Sequence, residues 1–317
     1  MNGIIIIDKP PYMTSAQVVT QVKRILKVKK VGHTGTLDPF ATGVLICCIN
    51  KATRLAQFLM YGKKRYEGTL RLGIRTDTQD LTGQVISTEP ELGITAQDVR
   101  VAFRSFLEVK CQTPPAYSAL KHHGVPLYRL ARRGTPVQKP PRRISIYEFE
   151  VLDINLPDVR FQVCCSAGTY VRTLCADIGE ALGCGAHLVR LCRTESGRFG
   201  LNEAISLDAL EKLAETGRIS EHMIPMNHAL RGMPSIIANG EFVQKVQHGH
   251  PVTQEKVAAV AKETCPWIKV TDTQGNLVAV LSSSKKNGVY PYACVFSPEI
   301  VNQTQSVCFN PSGTTLC

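Results

Sequence analysis

Between Gly32 and Gly43 the chain reads G-H-T-G-T-L-D-P-F-A-T-G, with a single carboxylate, Asp38. Its three glycines let the backbone adopt conformations closed to other residues and approach a ligand closely. Pro39 disfavours the α region for the residue before it, which fixes the direction in which Asp38 leaves the chain. An acid held this way is a candidate nucleophile or base. An Asx turn that only caps the local backbone explains the same spacing equally well, and spacing alone does not decide. His33 carries the same ambiguity between a catalytic imidazole and a surface ring bonded to its own loop. No second His or Cys stands at ligand spacing, so a metal is not expected. No Ser-His set surrounds Asp38, which speaks against triad hydrolysis. Neither a P-loop lysine signature nor a paired-glycine dinucleotide fingerprint is present. A glycosidase would want a second carboxylate, for which Asp77 and Asp80 are the candidates.

The charges around Asp38 point to a polyanion. The formal net charge is +11, and the first 66 residues hold eleven Lys or Arg against only Asp8 and Asp38. Between Val109 and Tyr147 there are eight basic residues and no acid. A surface charged only for solubility mixes its signs, so these two stretches read as a nucleic-acid footprint. The six prolines between Cys111 and Pro141 make that segment an irregular insertion, expected as a basic RNA-contacting arm at about 111–141.

The elements that must hold this loop follow from periodicity. Gly3–Asp8 is a buried strand stopped by Lys9-Pro10-Pro11, and Thr14 or Ser15 caps a helix carrying Val18, Val22, Ile25 and Leu26 on one face. Val44–Ile49 is an apolar strand after the loop, Lys51–Met60 is helical, and Arg65–Gly73 alternates as a strand. Thr95 opens a helix to Leu107, with Asp98 completing a capping-box variant. One short helix is expected around Leu127–Arg133 within the arm. Strands follow at Ile144–Asn155 and Val159–Cys165, then a helix at Thr169–Leu182, a strand at Ala186–Arg193 and a helix at Ser206–Glu215. From about Pro234 short strand-like runs with turns predict a small, mostly β domain over 234–317, with a polar, frayed tail after about 302.

The twelve cysteines include no C-x-x-C, and most lie in apolar runs where a reduced thiol acts as a small core residue. Met1–Asp8 lacks the basic start of a signal peptide, and no apolar run reaches membrane-span length. The expectation is a soluble, cytoplasmic chain with no membrane and no metal partner.

The loop from Gly32 to Gly43 closely resembles the catalytic loop of the tRNA pseudouridine synthase B (TruB) family. Further segments match in order: I-I-I-I-D-K-P at the start, Lys64-Arg65-Tyr66, the run from Arg71 to Gly83, P-P-A-Y-S-A-L-K from Pro114 to Lys121, G-T-Y-V-R-T from Gly168, and G-C-G-A-H-L from Gly183. They cover roughly residues 3–200. The resemblance implies an α+β pseudouridine synthase fold with a mixed, largely antiparallel central sheet flanked by helices over 1–233. It also implies a small C-terminal PUA-like RNA-binding domain over 234–317, where the likeness is only general. It implies isomerisation of uridine to pseudouridine at position 55 in the tRNA T-loop, with no cofactor and no metal; no obligate protein partner is evident in the sequence, and a monomer is expected. Asp38 would then be the essential aspartate, as nucleophile or through elimination, Arg172 its partner cation, and Tyr66 the tyrosine stacked on the target base. His33 would insert where the flipped base had been, and Leu191 would line the uracil pocket. Lys9 and Tyr117 would serve structure or RNA contact, while Lys121, Arg129, Arg132 and Arg133 would grip phosphates. A catalytically idle RNA-binding or RNA-folding protein on the same scaffold is the competing reading.

Overall fold

The computed structural model describes residues 1–252, 257, 265–286 and 288–297; the expected tail after 302 lies outside them. The chain divides into two compact units, Met1–Arg231 and Gly232 onward. The first is built on an eight-stranded sheet in the order Gly3–Lys9, Thr42–Ile49, Ala186–Ser196, Lys64–Leu72, Asp158–Cys165, Ile146–Asn155, with Val31–His33 and Phe199–Gly200 as short additions. All its pairings are antiparallel except one. Ala186–Ser196 runs parallel to Thr42–Ile49, setting Cys192 opposite Thr42 and Arg193 opposite Gly43. The mixed, largely antiparallel sheet flanked by helices is therefore as expected.

The apolar patterns explain the layers. Ile5, Ile7, Leu45, Cys47 and Ile49 bury one sheet face against Val18, Val22 and Leu26 of the Ser15–Leu26 helix and Leu210 of the Leu207–Glu215 helix. Elsewhere Phe103, Phe149, Phe161, Leu174 and Ile178 close a second core, in which the Phe103 and Phe149 rings lie 4.6 Å apart. Each such fully buried side chain contributes about 1.5–3 kcal/mol relative to exposure. Thr14, not Ser15, caps the first helix: its hydroxyl accepts from Gln17 N at 3.1 Å, and Gln17 accepts from Thr14 N at 2.8 Å. That cap is worth about 1 kcal/mol and leaves Ser15 free for the loop described below.

Two expected elements change form. The stretch after Ile49 starts as a tight 3-10 turn, Asn50–Leu55, before one α turn at Ala56–Leu59. The Ala186 strand runs three residues past its expected end, to Ser196, where Lys64 faces it across the sheet. Cys47, Cys48, Cys164, Cys165, Cys175 and Cys184 are buried free thiols, as their apolar runs implied.

The second unit holds a four-stranded sheet, in the order Ser235–Ala238, Trp267–Asp272, Leu277–Ser282, Tyr292–Val295. Asp272 closes the turn between its second and third strands by accepting from Gln274 N and Asn276 N at 2.9 and 2.7 Å. The Gly240–Gln247 helix, capped by Asn239, packs Phe242 and Val246 into the same core as Ile268, Val270 and Leu281. The mostly β expectation includes no helix here; Val243 packs against the same core from this helix. No helix among the described residues is long and apolar enough to cross a membrane.

Candidate active site

Asp38 sits on a loop stitched down on both sides. Ser15 Oγ accepts from Leu37 N at 2.9 Å and donates to Leu37 O at 3.2 Å. Lys9 Nζ donates to Pro39 O at 2.9 Å, while also binding Pro10 O and Met13 O at 2.8 and 2.6 Å. Lys9 is fully buried, and its ammonium ties the end of the first strand to the loop. Burial pulls its pKa down to about 8, with Asp38 opposing and Arg193 adding to the effect. At the far end of the loop, Gly43 has φ of 99°, and a Cβ there would lie 2.3 Å from Arg193 O. Only glycine lets the loop enter the sheet at this point.

Arg172 gathers the rest. It is the second residue of the Val171–Ala181 helix, whose start is pinned by two bonds between the Gln112 amide and the Tyr170 backbone, at 2.8 and 3.0 Å. Its Nε lies 2.8 Å from Asp38 Oδ2 and its Nη2 donates to Asp38 Oδ1 at 3.2 Å. The Nε–H is not aimed along the first contact, so that contact is Coulombic. Nη1 donates to Thr78 O at 2.7 Å and to Asp80 Oδ2 at 3.2 Å, and Nη2 donates to Tyr117 O at 2.8 Å. The guanidinium is thus buried but compensated on every side, as a buried charge must be. Removing one partner of such a pair typically costs about 3–5 kcal/mol.

Asp80 is held in turn. Its Oδ1 accepts from Thr78 Oγ1, Thr82 N and Thr82 Oγ1 at 2.8, 2.9 and 2.6 Å. Asp38 differs from Asp80 in keeping about a third of its side chain exposed (32%), against 4% for Asp80. One carboxylate fixes the cation from behind, and the other faces outward. Desolvation raises the Asp38 pKa; Arg172 pulls it back, the negative charge of Asp80 adds to the rise, and Lys9 lowers it. The arrangement suits an acid that must be ionised in a site that excludes much of its water.

Tyr66 and Leu191 lie in one apolar cluster with Leu37, Phe40 and Ala41 of the loop. Tyr66 stands opposite Arg193 across the sheet; burial raises the phenol's pKa, and the Arg193 charge opposes that. His33 Nδ1 accepts from Gly35 N at 3.3 Å, and burial, then Arg193, hold its pKa below the ordinary value. The structure therefore brings Asp38, Tyr66, Arg172 and Leu191 together, with His33 at the start of the same loop.

Tyr117, at the root of the arm, donates its hydroxyl to Asp77 Oδ2 at 3.0 Å while its carbonyl receives Arg172. Beyond it Lys121, Arg129, Arg132 and Arg133 are exposed, on or beside the short Leu127–Arg132 helix, and none forms an ion pair among the described residues. Arg132 and Arg129 lie over the Tyr128 ring at 5.6 and 6.0 Å.

Sequence offers Asp80 only as a second carboxylate for a glycosidase, and it offers no reading of Arg193. Arg193 is 2% exposed; its Nε donates to Val44 O at 2.7 Å and its Nη2 to Gly35 O at 3.0 Å, clamping both ends of the Asp38 loop. Its strand, A-H-L-V-R-L-C-R-T-E-S, also carries His187, Arg190 and Glu195, so no signal in the sequence singles out Arg193. No group of His, Cys, Asp and Glu able to hold a metal occurs among the described residues.

The chain is similar to known proteins over most of its length. Residues 23–171 match the model of the TruB family pseudouridylate synthase N-terminal domain, and 172–231 that of the tRNA pseudouridylate synthase B C-terminal domain. The tRNA pseudouridine synthase B of Syntrophotalea carbinolica is 47% identical over 81% of this chain and 84% of that protein. The protein of the same name from Geobacter sulfurreducens is 46% identical over 81% and 84%. Among solved structures, a Cbf5-Nop10-Gar1 complex contains a chain that superposes with a TM-score of 0.71 at 28% identity, covering 93% of this chain and 85% of that one. The chain belongs to the TruB family of pseudouridylate synthases.

Proposed function

We propose that this protein isomerises uridine to pseudouridine at position 55 in the T-loop of tRNAs. The N1 glycosidic bond breaks, the uracil turns while still held, C5 bonds to C1′ of the same sugar, and the C5 proton leaves as N1 gains one. Atoms balance without a cofactor. The observation that carries this reading is the Asp38 carboxylate, about a third exposed and ion-paired with buried Arg172. Membership of a uridine-isomerising family and the tRNA named for its relatives supply the substrate class.

Each remaining residue takes a role its position suits. A T-loop uridine must leave its stack, at a cost of a few kcal/mol. Stacking on the Tyr66 ring, worth roughly 1–3 kcal/mol, offsets part of this, with Leu191 closing the pocket. His33 fills the space the base vacates, Arg172 keeps Asp38 ionised, and Lys9 and Tyr117 hold the site together. Asp38 acts either by attack on the sugar or by elimination. The arm cations bind phosphates, and the second unit serves as a PUA-like RNA-binding module. The enzyme works as a cytoplasmic monomer.

The test is tritium release from C5-labelled uridine in a T-arm minihelix, set against an unrelated uridine hairpin. Release from the first and not the second is expected. Tight binding of the minihelix without release would favour the idle RNA-binding reading instead.

A further inference from the structure

One aromatic side chain on the turn that Lys9 ties to the Asp38 loop has no part in the fold. Tyr12 lies in the Pro10–Met13 turn between the first strand and first helix, with its side chain in solvent at 77% exposure. Its φ is +63°, in the left-handed region, where a Cβ crowds the following carbonyl and glycine is the ordinary occupant. A tyrosine here therefore works against the backbone and adds nothing to either core. Its hydroxyl bonds to no other described residue. Yet the turn is held firmly. The buried Lys9 ammonium binds Pro10 O and Met13 O, on either side of Tyr12, and Pro39 O, next to Asp38. Two residues on, Ser15 binds both polar backbone atoms of Leu37, on the other side of Asp38. The exposed ring stands on a strained turn that Lys9 and Ser15 tie to the two residues flanking the reactive carboxylate.

We propose that Tyr12 is a stacking platform for an unpaired base of the RNA, a neighbour of the uridine that reaches Asp38. This rests on the proposed uridine isomerisation. Extruding one base from a folded loop leaves adjacent bases without a stacking partner, and a flat aromatic face accepts any base. The rigid turn adds to this by removing the ordering cost that a mobile tyrosine would impose on binding.

The test uses the full-length enzyme and the T-arm minihelix, with binding, melting temperature and tritium release measured side by side. Tyr12→Ala should weaken binding about tenfold, the loss expected for one stacked base, whereas Tyr12→Trp and Tyr12→Phe should bind as the wild type does. Tyr12→Gly should lose the same affinity with a melting temperature no lower than wild type, because glycine relieves the backbone. Minihelices bearing one abasic loop nucleotide should include one that reproduces the loss with wild type and shows no further loss with Tyr12→Ala. Unchanged affinity in Tyr12→Ala, or a fall in melting temperature of Tyr12→Gly alongside its affinity, would overturn the proposal. Wild-type binding without tritium release would instead overturn the reaction and leave the stacking result intact.

Discussion

At the scale of single residues, the site is a contest over the charge on Asp38. Burial favours the neutral acid, and Arg172 favours the carboxylate. An active enzyme needs the ionised form, so activity should be lost as pH falls through the Asp38 pKa. Removing the guanidinium takes away the interaction that lowers this pKa. Single-turnover rates of Arg172→Gln against pH should therefore show an acid limb displaced to higher pH, besides a lower plateau. An unmoved limb would mean that Arg172 does not set the Asp38 charge. Asp80→Asn should lower the plateau roughly tenfold or more by loosening the arginine, with tRNA affinity retained; a rate equal to wild type would remove Asp80 from the network. Asp38 was visible in the sequence because its signal is local: glycines, a following proline and a basic surround. The Asp38–Arg172 pair, 134 residues apart, was available only through family resemblance. The role of Asp80 behind Arg172, and Arg193 altogether, are hidden from sequence because a charge inside a core is a tertiary property. A sequence shows the charge but not its burial.

At the scale of elements, three segments meet on one guanidinium: the Asp38 loop, the Thr76–Gly83 turn and the arm root at Tyr117. Tyr117 touches the network through its carbonyl and the turn through its hydroxyl. Tyr117→Phe breaks only the second link. Expected is a several-fold fall in the single-turnover rate with minihelix affinity within about twofold of wild type; loss confined to affinity would make Tyr117 a plain RNA contact. Most strands and helices could be read from apolar periodicity, since Lys64–Leu72 alternates and Gly3–Asp8 is buried nearly throughout. Their order could not. The parallel pairing of Arg193 with Gly43, which puts the arginine clamp beside the loop, depends on a crossover that no local pattern encodes. The left-handed turn at Tyr12 was equally hidden, because tyrosine is not a residue that announces positive φ.

At the scale of the whole molecule, the +11 charge is concentrated where RNA contact is proposed. If Arg129, Arg132 and Arg133 bind phosphates, each substitution by Ala should reduce the slope of log affinity against log salt by roughly 0.7–0.9, and their effects should add. Slopes equal to wild type would place the phosphate contacts elsewhere on the chain. The central claim, however, is that a single carboxylate performs the isomerisation on a surface that binds RNA without it. Tritium release from the C5-labelled T-arm minihelix by Asp38→Asn tests that claim most directly. The variant should bind the minihelix within about threefold of wild type and release tritium at least about 1,000-fold more slowly, equivalent to about 4 kcal/mol of barrier. Release at a rate near that of wild type would contradict the assignment of Asp38.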